Sequence, residues 1–304
     1  MPPAFRAAPV RVRVPATSAN LGPAFDCAGL ALALHDHVEV RVVDSGLTVD
    51  VAGEGADKVA RTERHLVVSS LRAAFDRLGG QPRGLEVLCA NRIPHARGLG
   101  SSAAAIVAAV VAARALVLGG PEALDDATAL ALAAEIEGHP DNVAACLLGG
   151  LTLAWSTAGG PSAAVRLEPS AALAPVAFVP STSSSTKKAR GLLPEQVPHA
   201  DAALNAARAA LLPVALTTDP ALLMTATADL LHQPYRAGAA PRTAALVEAL
   251  RADGVPAVVS GAGPTVLALT TTAGRDAVVG RKARGWTVLP LDVERSGAAV
   301  LPAS

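Results

Sequence analysis

The run Pro94-His95-Ala96-Arg97-Gly98-Leu99-Gly100-Ser101-Ser102-Ala103-Ala104 decides how the rest of the chain is read. It lies between a strand pattern over Gly84–Ala90 and an apolar helical pattern over Ala103–Leu118. Glycines at 98 and 100 allow a tight turn and let a ligand approach the backbone without meeting a Cβ. The helix that follows offers unbonded N–H groups and the positive end of its dipole, which together favour an anion. Ser101 and Ser102 stand where they can cap that helix or set a hydroxyl on phosphate or metal. Neither G-x-x-x-x-G-K-[ST] nor G-x-G-x-x-G occurs, so this is not a Walker loop or a dinucleotide fingerprint.

The surrounding chain of 304 residues is long enough for two ordinary domains, and 51% hydrophobic with 17% charged residues excludes a disordered protein. Lysine plus arginine and aspartate plus glutamate each total 26, which gives no electrostatic case for nucleic acid or an anionic membrane as partner. Aromatic content of 2% argues against base-stacking platforms. The only lysines are Lys58, Lys187, Lys188 and Lys282, so phosphate chemistry must lean on arginine, backbone N–H groups or a metal. Cys27, Cys89 and Cys146 are scattered and form no C-x-x-C, which fits a reducing compartment. The longest apolar run, Ala103–Ala113, is too short to span a bilayer, and no signal peptide is read, so the expected location is cytoplasmic.

Working outward, strands are expected at Arg11–Val14, His37–Val43, Leu47–Val51 and Leu147–Trp155, and helices at His65–Leu78 and Pro121–Ile136. The proline-bearing stretch Glu168–Pro175 marks a boundary, giving halves of residues 1–170 and 171–304. In the second half, strands are expected at Val176–Val179, Ala257–Ser260, Thr265–Thr270 and Trp286–Leu289, with helical patterns at Asp201–Leu212, Pro220–Leu231 and Arg242–Arg251. The irregular alternation of strands and helices lacks the cadence of a doubly wound sheet and predicts an α+β fold in two layers. Pro15–Asp26, rich in small, polar and turn residues, reads as a loop exposing Asn20 and Asp26.

The eleven-residue string at 94–104 matches every defined position of Pro-x-x-x-Gly-Leu-Gly-Ser-Ser-Ala-Ala, and so resembles the central signature of the GHMP kinases. Ser18-Ala19-Asn20-Leu21-Gly22-Pro23-Ala24-Phe25-Asp26 resembles the motif Ser-Ala-Asn-Leu-Gly-x-Gly-Phe-Asp of the homoserine kinases, with Ala24 in place of a glycine. Glu137-Gly138-His139-Pro140-Asp141-Asn142-Val143-Ala144, Thr186-Lys187-Lys188-Ala189-Arg190 and Pro234-Tyr235-Arg236 are similar to further segments of that group. Ser260-Gly261-Ala262-Gly263-Pro264-Thr265 resembles the third superfamily motif, a glycine turn packed on the phosphate loop. His65-Leu66-Val67 departs from the Asn-Leu-Val that homoserine kinases often carry there.

The resemblance implies an N-terminal nucleotide-binding domain, a ferredoxin-like C-terminal domain, and ATP-dependent phosphorylation of L-homoserine in threonine biosynthesis. It implies ATP on residues 94–104 and Mg²⁺ held by Ser102 and Glu135, with Glu137 the runner-up. Homoserine would be bound by Asn20, Asp26, His139, Asp141, Thr186, Arg190 and Arg236. The arginines suit its carboxylate, Asp26 or Asp141 its ammonium, and Asn20 and His139 its hydroxyl. Asn20 and Asp141 are the catalytic candidates, and Asp141 is read either as general base or as ammonium binder. A homodimer is a family expectation. The rival readings are a kinase for another alcohol, such as mevalonate or a pantoate-like acid, and a catalytically silent sensor.

Overall fold

Val10–Leu21 (β1) and Ala24–Val43 (β2) form one long antiparallel hairpin on which the N-terminal half is built. The structure, a computed structural model, describes residues 3–156 and 160–302. Valine alternating with charge behaves as expected at the start of β1, where Val10, Val12 and Val14 are buried and Arg11 is exposed. The stretch expected as an exposed loop instead continues the hairpin, and Ala16, Thr17, Ser18 and Ala19 are all fully buried. Small side chains permit this, because helices lie directly against the strand. Its polar groups find partners, with Thr17 Oγ1 donating to Asn142 Oδ1 at 2.8 Å.

Gly46–Gly53 (β3), the helix Leu66–Arg77 (α1) and Gly84–Asn91 (β4) follow as a crossover unit with β3 and β4 parallel. Next come Ser101–Leu116 (α2), Gly120–Ala123 (α3), Asp126–Glu137 (α4) and Asp141–Leu148 (α5). The single helix expected over Pro121–Ile136 is split, because the Asp125 side chain accepts the Thr128 N–H at 2.8 Å and starts a new helix. The strand expected from Leu147 begins only at Leu151. The chain is still helical through Leu148, and Gly149 and Gly150 then turn it with φ of 71° and 66°. Leu151–Ser156 (β5) and Ser162–Leu167 (β6) complete this half.

The second half runs through Val176–Pro180 (β7), Thr186–Arg190 (α6), His199–Thr217 (α7), Leu223–Ala226 (α8), Gln233–Arg236 (α9) and Pro241–Ala252 (α10). Ala257–Val259 (β8), Val266–Ala268 (β9), Arg275–Val279 (α11), Trp286–Pro290 (β10) and Ala299–Leu301 (β11) end it. The helix expected over Pro220–Leu231 stops at Ala226, where Thr227 Oγ1 donates back to Leu223 O at 2.6 Å.

Among the described residues the larger sheet has seven strands, with the path β11-β1-β2-β4-β3, β5 joined to β2, and β6 to β5. The smaller has four antiparallel strands ordered β10-β7-β9-β8, which in chain order is the 4-1-3-2 arrangement of a ferredoxin-like unit. The architecture is therefore the expected two-layer α+β fold. Alanine-rich α2 is buried along most of its length and lies against β1, β2, α1, α4 and α5. One apolar core takes in this helix layer and reaches Val258 and Leu267 of the smaller sheet, while a second lies under α10. Among the described residues no helix is long and apolar enough to cross a membrane.

The return of the chain end to β1 is held by Glu294, which meets His35 Nε2 at 2.6 Å and accepts from the Ser296 hydroxyl at 2.7 Å and its N–H at 2.9 Å. Burial would push the Glu294 carboxyl up, but the Ser296 and His35 hydrogen bonds outweigh it and hold the pKa at about 2. A carboxyl depressed on folding stabilises above its unfolded pKa, and that contribution is lost as pH falls. Glu294→Gln should therefore lower Tm at pH 7 by about 2–4 °C. In thermal denaturation across pH, the gap between the two proteins should close as pH drops from about 4.5 toward about 2; a gap that stays constant would contradict this role.

Candidate active site

Between β4 and α2 the segment at 94–104 is pinned from several sides. Asp36, buried in β2, accepts the N–H groups of Arg92 and Ile93 at 2.6 and 2.9 Å and fixes its entry. The Thr17 N–H donates to Leu99 O at 3.1 Å, and Ser260 Oγ donates to Gly98 O at 2.6 Å. Gly98 and Gly100 adopt φ of 78° and 71°. A Cβ on Gly98 would stand 2.2 Å from Ser260 O, and one on Gly100 would stand 1.9 Å from Thr17 Oγ1. Helix α2 starts at Ser101 with no side-chain cap, so its first N–H groups are left to an external acceptor. Arg97 does not face that position; its guanidinium donates to the carbonyls of His95, Pro180 and Ser181 and ties the loop to β7.

Ser102 Oγ donates to Glu137 Oε1 at 2.6 Å. Burial pushes the Glu137 carboxyl up, the Ser102 hydrogen bond opposes this, and the charge of Asp141 adds to it. A half-buried carboxylate that forms no ion pair among the described residues, beside a hydroxyl and open to the cleft, is a hard-oxygen donor set that fits Mg²⁺. Among the described residues no three His, Cys, Asp or Glu side chains converge, so further ligands would have to come from phosphate and water. Glu135 is turned away: it is exposed and pairs with Arg77 at 2.9 Å. Two residues along a helix are about 200° apart, so Glu135 and Glu137 cannot face one site. The expected Ser102–Glu135 pair is thus replaced by Ser102–Glu137.

At the other end of the cleft, Asn20 and Asp26 flank the β1–β2 turn with φ of 56° and 53°. Asn20 Oδ1 accepts the Asp26 N–H at 2.8 Å. Arg190, from α6, grips Asp26 bidentately at 2.6 and 2.7 Å, which holds its guanidinium pKa up. Arg236, from α9, is 7% exposed, and no carboxylate pairs with it among the described residues. Burial, and then the charge of Arg190, pull its pKa down. Both guanidiniums lie over the Phe25 ring, at 5.4 and 4.9 Å from its centroid. Ala24 needs no positive φ, since Asn20, Gly22 and Asp26 take the left-handed positions, so its replacement of glycine does not disturb Asp26.

Asp141, expected as a catalytic or binding carboxylate, is fully buried at the start of α5. Its Oδ1 accepts from His139 Nδ1 at 2.8 Å and from the Asn142 N–H at 2.7 Å, while Oδ2 is buried without a partner. His139 lines the cleft, and Asp141 holds its pKa up. Asp141 thus reaches the cleft through His139.

Residues 65–150 and 214–285 match the GHMP kinases N terminal domain and GHMP kinases C terminal family models. A homoserine kinase of Streptomyces avermitilis is 63% identical over 99% of this chain and 98% of its own length. One of Clavibacter michiganensis is 49% identical over 96% and 93%. The crystal structure of homoserine kinase from Cytophaga hutchinsonii superposes with a TM-score of 0.80 at 28% identity, covering 96% of this chain and 97% of that one. The chain belongs to the homoserine kinase family of GHMP kinases.

Seen as a homoserine kinase, the cleft gathers Asn20, Gly98, Gly100, Ser101, Ser102, His139, Arg190 and Arg236 on its wall. Asp26 and Asp141 stand behind that wall, and the side chain of Thr186 lies outside the described residues. The expected roll omits Asn142 and Ser184, which also line the cleft. Asn142 was within reach of sequence reading, being inside the quoted 137–144 segment; Ser184, in the polar run before α6, carries no local signal. A separate cavity of about 310 Å³ opens beside Ser101 and Ser102 and is lined by Asp36, His65, Leu66 and His95. Its one sequence signal is His65-Leu66-Val67 at the start of α1.

Gly98→Ala forces a Cβ at positive φ against Ser260 O, a strain of about 1–3 kcal/mol placed on the anion-binding turn. ATP titrations should show KM for ATP raised at least about tenfold with KM for the acceptor nearly unchanged; equal rises in both would contradict the local role.

Proposed function

We propose that the chain transfers the γ-phosphoryl group of ATP to the side-chain hydroxyl of L-homoserine, giving O-phospho-L-homoserine and ADP on the way to threonine. The observation that carries this reading is the charge arrangement beside the phosphate loop: two guanidiniums share Phe25 while only one has a carboxylate. That leaves one positive charge for the substrate carboxylate, with Asp26 and Asn20 next to it for the ammonium.

The triphosphate rests on the N–H groups of Gly98–Ala103, and the nucleoside enters the cavity lined by His65 and His95. Ser102 and Glu137 would hold Mg²⁺, which would supply positive charge to the transferring phosphate. Arg236 orients homoserine by its carboxylate, beside the Asp26-paired Arg190, so that its hydroxyl faces the loop near His139 and Asn142. With Nδ1–H donated to Asp141, the tautomer leaves Nε2 of His139 as the proton acceptor. The hydroxyl proton passes to that nitrogen as the oxygen–phosphorus bond forms and the bond to the ADP oxygen breaks. A loose transition state asks little of the base, so positioning dominates. Asp141 is then a positioning residue.

ADP release across a panel of amino and hydroxy alcohols tests the assignment. Homoserine should turn over best, while mevalonate and pantoate, lacking an amine for Asp26, should fail; the reverse order sinks it. Glu137→Gln should raise the Mg²⁺ concentration for half-maximal rate about tenfold or more, and Glu135→Gln should leave it within about twofold. The opposite pattern would return the metal to Glu135.

A base must be unprotonated, so kcat/KM should climb as pH rises through the His139 pKa, which lies above its ordinary value of about 6.5. Asp141→Asn removes the largest cause of that elevation. It should cut kcat by about 100-fold and move the ascending limb to lower pH. A limb that does not move would exclude His139 as proton acceptor.

A further inference from the structure

A cavity of about 800 Å³, larger than the nucleoside cavity, lies in the C-terminal half between α6, α9, α10 and the turn at Thr227–Leu230. Its walls are cut back by alanines, among them Ala189, Ala240, Ala244 and Ala257. It adjoins the transfer cleft, since Ser184, Arg236 and Ala262 line both.

Two guanidiniums converge on it from different helices. Arg251 donates to Thr227 Oγ1 at 2.9 Å and to Met224 O at 2.8 Å. Arg208 reaches Ala228 O at 3.5 Å, so the two cations meet on successive residues of one turn. Neither is in an ion pair among the described residues. Asp229, on the same wall, is held by its own turn: it accepts the N–H groups of Leu231, His232 and Gln233 at 2.8, 3.2 and 2.7 Å. Burial, and then the nearness of Arg208, pull the Arg251 pKa down, a like-charge cost that an anion between them would relieve. Exposed Glu248 and Lys188 on the same wall add one charge of each sign.

Two guanidiniums in no ion pair among the described residues suit a dianionic oxyanion, and Glu248 suits an ammonium. We infer that this cavity is a second binding site, for a small phosphate monoester that carries an ammonium group, and that its occupant is the phosphorylated amino acid formed in the adjoining cleft. The identity of that occupant rests on the homoserine kinase reading, whereas the anion site rests on Arg208 and Arg251 alone.

Calorimetric titration of the full chain, saturated with Mg²⁺ and a non-hydrolysable ATP analogue, separates the two places. The analogue's γ-phosphate then fills the transfer cleft, so O-phospho-L-homoserine that still binds is bound elsewhere. Binding should persist, weaken at least about tenfold in Arg208→Gln, and weaken similarly in Ala244→Phe, which fills the cavity. Forward kcat and both KM values of Arg208→Gln should stay within about twofold of the parent. Product binding abolished by the analogue, or unchanged in both variants, overturns the proposal. Inorganic phosphate is the second probe, and its binding should fall in Arg208→Gln whatever the acceptor. If homoserine is not phosphorylated in the acceptor panel while phosphate binding still depends on Arg208, the functional reading fails and the anion site stands.

Discussion

The fold hangs on a buried meeting of three chain segments at Ser260. Its hydroxyl, fully buried, lies 2.6 Å from Gly98 O and 2.8 Å from Ser18 Oγ, and the Gly261 N–H donates to Ala19 O at 2.9 Å. The phosphate loop, the inner end of β1 and the turn between β8 and β9 are thereby locked together. Backbone approaches this close leave no room for a side chain at Gly98, and a buried hydroxyl left without partners would be costly. Because Ser260 stands in the β8–β9 turn of the smaller sheet and Ser18 in a strand of the larger, the contacts at the 94–104 loop also join the two sheets.

Electrostatics divides the cleft into two ends with opposite needs. At the loop end a half-buried carboxylate, Glu137, is held by a hydroxyl and forms no ion pair among the described residues. At the acceptor end the excess is positive, with Arg236 buried against Phe25 and only Arg190 neutralised by Asp26. A zwitterionic acceptor and a metal-bound nucleotide, as proposed, would satisfy both excesses together. This explains how a chain with equal totals of cationic and anionic residues and few lysines serves phosphate chemistry: the charges act in local pairs.

The segments that carry this chemistry were legible because they need special backbone. Gly98, Gly100 and Gly22 sit at positive φ, and such positions are written in the sequence as glycines in fixed company. The reading of Pro15–Asp26 as a loop failed for the same local logic. Small and polar residues look like a loop, yet here Ala16, Thr17 and Ser18 are a strand packed under helices, their hydroxyls satisfied by residues more than a hundred positions away. The choice of Glu135 failed for want of a helical phase: its neighbour Arg77 and the direction of α4 are tertiary facts.

The sequence by itself determined the α+β class and the tight glycine turn at Gly98 and Gly100, because these follow from local periodicity and glycine conformation. Only the tertiary structure decided that Glu137 and not Glu135 meets Ser102, that Asp141 is buried behind His139, and that Arg190 is paired while Arg236 is in no ion pair among the described residues. Those outcomes depend on which face of a helix is turned inward and on which distant segment arrives opposite it. Neither is encoded in the spacing of nearby residues.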